Sequence, residues 1–523
     1  MLLDFRNDKK YNIFNIITLL FFFIYSSIFL RYYYDGHHIG LLYSNALDLL
    51  NGRVPFKEIF IQYGFLTTLI HSFVLKIFFN KVFFLTLSSI FFYLLSIFFI
   101  SKSVFNYTSK YSYAFLSTII ILFNHPIPWL PWPNYLSFFF ISVSIFFISK
   151  KKKKLINIGF FLSLAVLSRQ DFLIGIITGS FFLSLFNIIK KNKISFKDIV
   201  SLIIGFISPF IIFLIYLINI NVLDIWINYL TIPNFYIETY ETSYSKLISN
   251  FIFFFISESF FNFITTPQFF IISLILITNT ILIILRLFNK IKINNDLFFI
   301  ILLSSFLSSV CLKIELFRLY TSIIIGLIPL IYFISELKSY EFKKKIILTI
   351  ILPSLFSFIF YPTGNNPLFT KIDFINVKTS NIISELSLNK WPHQKINSMN
   401  QIYNLVNKCN VEYLENLTFD TIYSTIGNLN RIRILPYEKS SGKNSKLHLY
   451  FDKFKNPNLN FIQKINNEIE FENIILLVND NNYSYDLGAL SISNNYNLLE
   501  INESNIEGKP NILRVYYPSK CII

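Results

Sequence analysis

Residues 135–168 read YLSFFFISVSIFFIS, then KKKKK, then LINIGFFLSLAVLS, which is two apolar segments separated by five consecutive lysines. Apolar segments joined by a short basic turn are typical of neighbouring membrane helices connected on the cytoplasmic side. We therefore interpret Lys150–Lys154 as a topology signal rather than as a ligand site. Further apolar runs flanked by lysines follow along residues 1–361.

The composition favours a membrane protein over a soluble one. The 523 residues are 54% hydrophobic and 15% charged, with a mean hydropathy of +0.53. Soluble domains contain about 45–50% apolar and about 25% charged residues. Three cysteines in so long a chain predict no disulfide framework. The net charge of +16 follows from lysines placed beside apolar runs, so we expect no nucleic-acid partner.

Eleven apolar runs approach the length of about 17–25 residues that a membrane helix needs. The predicted spans are 12–30, 83–101, 110–125, 135–149, 155–168, 172–189, 197–219, 267–286, 297–312, 318–335 and 345–361.

The lysine clusters predict which side each loop faces. They lie at Lys9–Lys10, Lys150–Lys154, Lys190–Lys193, Arg286–Lys292 and Lys338–Lys345. If all of them are cytoplasmic, each interval between them holds an even number of spans. The further apolar stretch, residues 65–79, would break that rule, so we expect it to lie on or re-enter the outer leaflet without crossing.

The predicted fold is thus a polytopic α-helical membrane protein with its amino end in the cytoplasm and its carboxyl end outside. Residues 1–361 form the membrane domain. Residues 362–523 are rich in Asn, Lys and Ser and contain alternating stretches at 474–478 and 512–517. We predict a small extracytoplasmic α/β domain for this tail.

The first outward loop combines acidic, histidine and apolar residues. It contains Asp35, His37 and His38, then an amphipathic run over 41–50 that predicts a helix lying flat in the membrane interface. A carboxylate just above the bilayer can act as a general base toward a hydroxyl or bind a metal. The alternative is that Asp35 only caps a helix and the histidines are solvated.

Two further outward segments carry scarce residue types. Residues 126–135 read PIPWLPWPNY and contain Trp129, Trp132 and Asn134, which predict either an aromatic membrane anchor or a wall that positions a sugar. Arg169 and Asp171 follow a span of only fourteen residues, which is about 21 Å long against a hydrocarbon core of about 30 Å. They are expected below the outer surface, either paired with each other or binding an anion.

A last charged cluster, Lys313, Glu315 and Arg318, lies between two predicted spans on the outer side. It predicts either a second basic contact to the same anion or a plain pair of side chains that reach the interface.

The first loop resembles that of a known superfamily. The run Asp35, His37-His38, Gly40, Ala46-Leu47, Gly52, Pro55-Phe56 and Tyr63-Gly64 is similar to the first outer loop of GT-C membrane glycosyltransferases, and more narrowly to bacterial members related to protein mannosyltransferases and aminoarabinose transferases. The similarity in organisation covers residues 10–220, with motif-level similarity in this loop, at 126–136 and at 168–171. Such enzymes have juxtamembrane helices in this loop and a Tyr-Gly lead into a short apolar segment that does not span.

The resemblance implies a sugar transfer from polyprenyl phosphate to an acceptor hydroxyl at the outer face of the bacterial cytoplasmic membrane. The acceptor would be a glycan, a lipid or a protein. Asp35 maps onto the family's acid that acts on the acceptor hydroxyl. Gly36 stands where the family often has a second acid, which predicts no tightly bound metal and no cofactor beyond a weakly held divalent cation.

The remaining roles follow from the same resemblance. The donor phosphate and substrate would be bound by His37, His38, Tyr63, Arg169, Asp171 and Arg318. The acceptor or sugar would be positioned by Glu58, Trp129, Trp132 and Asn134, the last standing where family members often have an acid.

Three other functions stay open at the level of sequence. A transporter or flippase for a lipid-linked or anionic solute would place polar groups and broken helices near the membrane midplane, often in repeats. No repeat is visible, and the informative charges lie at the outer ends of spans. A polysaccharide polymerase or ligase of another fold usually has its main outer loop late in the chain. A non-catalytic envelope scaffold is the last alternative.

Overall fold

The computed structural model is predominantly helical. It describes residues 9–32, 36–57, 59, 61, 64–125, 130–190, 195–229, 268–309, 316–360, 377–411, 413–416, 423, 426, 474–479, 496–504 and 510–521.

The amino-terminal helices follow one another with short connections. They are α1 (Lys9–Phe29), α2 (Gly36–Leu50), α3 (Phe65–Ile77), α4 (Val82–Thr108), α5 (Tyr111–Phe123), α6 (Pro133–Ile148), α7 (Leu155–Ser168), α8 (Phe172–Ile189), α9 (Phe196–Asn219) and α10 (Leu223–Tyr229). A second group comprises α11 (Gln268–Leu287), α12 (Asn295–Ser309), α13 (Leu316–Ile323), α14 (Leu327–Glu336) and α15 (Tyr340–Phe360). Each predicted span coincides with one of these helices, or with the pair α13 and α14 joined by a 3-10 turn.

Five helices in the described part of the chain are long and apolar enough to cross a membrane. They are Lys9–Ile28, Val82–Thr108, Phe172–Ile189, Phe196–Asn219 and Phe270–Leu287. Other predicted spans coincide with shorter apolar helices, among them α5 and α7 with 13 and 14 residues. The pattern is that of a membrane protein, and the number of eleven crossings stays a prediction.

Helix α9 shows how the apolar surface is divided between protein and surroundings. Its buried residues, Gly205, Pro209, Phe213 and Leu217, recur every four positions and so form one stripe. The glycines Gly159 of α7 and Gly205 of α9 lie where a β-carbon would collide with the opposite backbone, so the two helices approach closely. The other faces of α9 expose isoleucines such as Ile212, which is 67% exposed. So large an apolar surface suits contact with lipid.

Helix α2 differs from its prediction. An amphipathic helix resting in the interface would keep a polar face in contact with water, whereas residues 39–48 of α2 are buried throughout. The polar side chains of Ser44, Asn45 and Asp48 are covered together with the apolar ones. The helix is therefore enclosed by the rest of the chain, and the hydroxyl of Tyr43 ties it to the turn before α4 by donating to the carbonyl of Asn80 at 3.0 Å.

The carboxyl-terminal region forms the predicted mixture of helix and strands. Helix α16 (His393–Cys409) accompanies β1 (Val377–Lys378), β2 (Trp391–Pro392), β3 (Tyr413–Asn416), β4 (Ile474–Asn479), β5 (Tyr496–Ser504) and β6 (Pro510–Pro518). Strands β1 and β2 pair with each other, and the larger sheet has the order β3-β4-β6-β5. Only β3 and β4 are parallel. The alternating stretches predicted at 474–478 and 512–517 are confirmed as strands.

The alternation of side chains along each strand explains how the sheet is covered. Ile475 and Leu477 of β4 and Leu513 and Val515 of β6 are buried, and α16 packs against β5 and β6 with its own apolar stripe.

A disulfide joins Cys409, the last residue of α16, to Cys521, just after β6. The cysteine count had predicted no disulfide framework and did not anticipate this single bond, because spacing alone cannot show that residues 112 positions apart are neighbours in space.

The carboxyl-terminal region also contacts the ends of two membrane helices. The backbone N–H of Lys390 donates to the carbonyl of Arg31, directly after α1, at 2.6 Å. The ammonium of Lys81, which precedes α4, donates to the carbonyl of Ser384 and, at 3.1 Å, to the hydroxyl of Ser387. The region thus lies at the end of the helical domain where α1 finishes and α4 begins.

Candidate functional site

Arg169 is the most informative charged residue of the helical domain. It follows the last residue of α7 and is 5% exposed. Its Nε donates to both carboxylate oxygens of Asp171 at 2.7 and 2.9 Å, and Nη2 donates to Oδ2 at 2.7 Å. The structure therefore contains the ion pair that the sequence offered as the structural alternative. Such a forked contact holds the plane of the guanidinium in a fixed orientation.

Asn134 holds the other side of the same guanidinium. Nη1 of Arg169 donates to the Asn134 side-chain carbonyl, and the Asn134 amide donates to the hydroxyl of Thr321 at 3.1 Å. Asn134 and Thr321 are 1% and 4% exposed. Since Asn134 lies in the first turn of α6 and Thr321 lies in α13, the contact joins these two helices beside one arginine.

The first loop reaches the same place through its last residues. A β-carbon on Gly64 would collide with the backbone of Leu167 and Ser168 at the end of α7. The hydroxyl of Thr67 then donates to the carbonyl of Ser168 at 3.0 Å. Glycine is needed here because only its missing side chain permits this approach. Gly64, at the end of the first loop, is thus held against Ser168, the residue before Arg169.

A buried aromatic cluster that the sequence did not predict lies beside the second outer loop. His125, Tyr135, Tyr93 and Tyr320 are each at most 2% exposed. His125 Nε2 and the Tyr135 hydroxyl are 3.0 Å apart, and the hydroxyls of Tyr93 and Tyr320 both donate to the carbonyl of Ile121. The cluster fixes the start and end of this loop. Aromatic residues are too common in this chain for sequence alone to distinguish them.

Trp132 belongs to the same loop and is 3% exposed. A tryptophan that anchors a protein in the membrane interface contacts lipid headgroups. The burial of Trp132 inside the chain does not fit that alternative. Trp132 precedes Asn134, a hydrogen-bond partner of Arg169, by two positions in the sequence.

A second buried ion pair was missed in the first loop. Nη1 of Arg53 lies 2.9 Å from Oδ1 of Asp48, and the two side chains are 13% and 10% exposed. The backbone N–H of Arg53 also donates to the Asp48 carbonyl at 3.1 Å across a turn in which Gly52 has a φ of 82°. The scarcity of arginine, one of only nine in the chain, was a signal that could have identified this pair.

Several predicted site residues lie outside the described residues or have undescribed side chains. Asp35, Glu58, Tyr63, Trp129, Lys313 and Glu315 are in the first group. His37 and His38 lie in the first turn of α2, and Arg318 lies in α13. Arg318 precedes Thr321 by three positions, which puts the two residues on neighbouring positions of one helix face. Their proposed roles stay predictions.

The described residues contain no group of three or more His, Cys, Asp or Glu side chains that could hold a metal ion. Because Asp35 lies outside the described residues and the side chains of His37 and His38 are not described, the absence of a tightly bound metal stays a prediction.

No family model matches the chain, and no curated protein matches it significantly. What can be said of its chemistry rests on the residues described above.

Proposed function

We propose that the chain is an integral membrane glycosyltransferase that moves a sugar from a polyprenyl-phosphate donor to an acceptor hydroxyl at the outer face of the bacterial cytoplasmic membrane. The observation that carries this proposal is that three separate segments meet around Arg169. Asn134 comes from the start of α6, Thr321 from α13, and Gly64 and Thr67 from the junction between the first loop and α3.

The surroundings of Arg169 suit a leaving group that carries negative charge. A guanidinium offers five donors in a plane and binds phosphate with two parallel hydrogen bonds. In a site with few waters, a cation fixed before the reaction stabilises developing phosphate charge more strongly than it would in water. Asp171 and Asn134 hold the guanidinium in place, so little reorganisation is needed when the donor binds.

The acceptor side of the proposed reaction belongs to the first loop. Asp35 removes the proton of the acceptor hydroxyl as its oxygen attacks the anomeric carbon, the bond from that carbon to the phosphate oxygen breaks, and the configuration inverts. His37 and His38 orient Asp35 or contact the phosphate, together with Tyr63. Arg318 supplies a second cation. Glu58, Trp129, Trp132 and Asn134 position the sugar or the acceptor.

The helical domain supports the membrane part of the proposal. A polyprenyl chain requires access from lipid, and α9 exposes a continuous apolar surface on the faces that do not pack against α7. No residue on this surface distinguishes one sugar or one acceptor from another. The proposed donor class is therefore lipid-linked sugars in general.

The test is an incubation of the purified full chain with a panel of polyprenyl-phosphate sugars. Release of free polyprenyl phosphate is measured in the presence of membrane lipid and glycan acceptors. We expect one donor to be consumed, and Asp35→Asn to abolish the release while the protein remains monodisperse in detergent. Near-normal release by Asp35→Asn would contradict the assignment of the base. Movement of an intact lipid-linked solute across a vesicle membrane, with no release of polyprenyl phosphate from any donor, would instead favour a flippase.

A further inference from the structure

The cysteine pair of the carboxyl-terminal region joins two elements that are far apart in sequence. Cys409 ends α16, and the Cα atoms of Cys409 and Cys521 are 5.0 Å apart, within the usual range for a disulfide of about 4.4–6.8 Å. The next residue, Asn410, has a φ of 47°, and the N–H of Cys521 donates to the carbonyl of Pro518 at 2.9 Å. Each cysteine is therefore fixed by its own local turn, and the bond closes the helix onto the last strand.

Both cysteines are buried, at 9% and 7% exposure. Buried cysteines in a reducing compartment act as small apolar residues and remain thiols. Stable disulfides between such residues form where the environment is oxidising, outside the cytoplasm.

The contacts of this region with the membrane domain give a second indication of the side on which the region lies. They involve Arg31, after the end of α1, and Lys81, before the start of α4. The opposite end of α1 begins at Lys9 and Lys10. Lysine pairs at the end of a span mark the cytoplasmic side, which places the docked end of α1 on the other side. The disulfide and the lysines are independent observations, and they agree.

We propose that Cys409 and Cys521 are a modification site for an extracytoplasmic thiol–disulfide oxidoreductase, and that the bond marks the carboxyl-terminal region as facing the oxidising side of the membrane. The reaction is an exchange through a mixed disulfide. The two thiols lose two protons and two electrons, one sulfur–sulfur bond forms between them, and the disulfide of the oxidoreductase is reduced to a dithiol. This inference does not depend on the sugar-transfer reaction.

Cysteine counting tests the proposal in the unaltered chain. The protein is produced in the inner membrane of a Gram-negative host, quenched with acid and denatured, and its free thiols are labelled with a maleimide–polyethylene glycol. The third cysteine, Cys311, serves as the internal reference. We expect one added polymer before reduction and three after it. In a host without its periplasmic thiol oxidant we expect three in both cases for most of the protein. Three additions before reduction in the normal host, or one in both hosts, would overturn the proposal.

Cys311→Ser identifies the pair. We expect no labelling before reduction and two polymers after it. Two polymers before reduction would mean that the bond involves Cys311 and would overturn the assignment.

A second measurement tests the side of the membrane directly. Asn497 on β5 and Lys152 in the lysine run are both exposed. In the Cys311→Ser background, a membrane-impermeant maleimide applied to intact spheroplasts is expected to label Asn497→Cys and to leave Lys152→Cys unlabelled until the membrane is permeabilised. The reverse pattern would overturn the proposal.

Discussion

Arg169 and Arg286 are two arginines buried to nearly the same extent, at 5% and 6% exposure, yet their surroundings differ. Arg169 contacts a carboxylate and a side-chain amide contributed by separate segments. Arg286 lies over the rings of Phe298 and Phe186, at 4.1 and 4.5 Å. It donates to the Asn294 carbonyl at 3.0 Å and to the Asn295 side chain at 2.6 Å.

Arg169 joins segments that are far apart in the sequence, whereas Arg286 closes a local turn. The hydrogen bonds of Arg286 to Asn294 and Asn295 reach eight and nine positions along the chain, and among the described residues it forms no ion pair. Its stacked position is typical of a guanidinium used for packing. Arg169 instead bonds to Asn134, 35 positions before it, and Asn134 in turn bonds to Thr321, which lies 187 positions after Asn134. Burial therefore does not distinguish the two arginines, whereas the positions of their partners along the chain do.

The largest effect is expected from removing the Arg169 guanidinium. Arg169→Ala should lower sugar transfer by about 100- to 1,000-fold, which is the usual loss when one preorganised donor to a developing charge is removed. Arg286→Ala should leave transfer per folded molecule within about threefold, a difference of under 1 kcal/mol. The measurement is the initial rate of polyprenyl-phosphate release by each purified variant.

Arg169→Lys separates geometry from charge, since lysine keeps the charge and loses the fork. We expect at least about a tenfold loss of rate with this variant, relative to the wild type. Equal transfer rates for folded Arg169→Ala and folded Arg286→Ala would contradict the difference between the two arginines.

Stability should respond in the opposite way at Arg286. Arg286→Ala removes two hydrogen bonds and two ring contacts, which together contribute about 2–4 kcal/mol in a buried setting. The thermal unfolding midpoint in detergent should fall for Arg286→Ala and fall less for Arg286→Lys, which keeps a charge above the rings but loses the planar stack and the two separate donors. A midpoint that is unaffected by Arg286→Ala would show that this arginine is not a packing residue.

Gly64 tests whether the first loop must lie against α7. Gly64→Ala places a methyl group inside the Leu167–Ser168 backbone and should cost about 1–3 kcal/mol through overpacking. It should also displace the loop from Arg169 and reduce transfer. Gly179→Ala is the matched control, because its β-carbon would meet the nearest atom, the Leu303 nitrogen, at an ordinary 3.6 Å. Similar unfolding midpoints for the two variants would contradict the close approach.

Much of this arrangement could be predicted from the sequence, and the reason is physical. Apolar runs depend on local hydropathy, so they anticipated the helices, and alternation anticipated strands β4 and β6. The sides that the lysine clusters predict for the loops stay predictions. The short span before Arg169 anticipated its burial and offered its pairing with Asp171 as one of two alternatives. The contact of Asn134 with Thr321 joins residues 187 positions apart and leaves no local pattern. The same applies to the disulfide and to the burial of residues 39–48 of α2.

The smallest effect concerns Thr321, which touches Asn134 rather than the arginine. Thr321→Val removes one hydrogen bond between uncharged groups, worth about 1 kcal/mol, or about a fivefold change. We expect it to raise the KM for the donor more than it lowers kcat, while Thr321→Ser restores the wild-type values. No recovery with serine would indicate that packing, and not the hydroxyl, is what matters.

The central claim, that Arg169 binds the donor phosphate, is tested most directly by equilibrium binding of polyprenyl phosphate itself. The account predicts saturable binding to the wild type and to Arg286→Ala, at least about tenfold weaker binding to Arg169→Ala, corresponding to about 1.4 kcal/mol, and no competition by the uncharged polyprenol. Unchanged affinity in Arg169→Ala, with the protein folded, would contradict it.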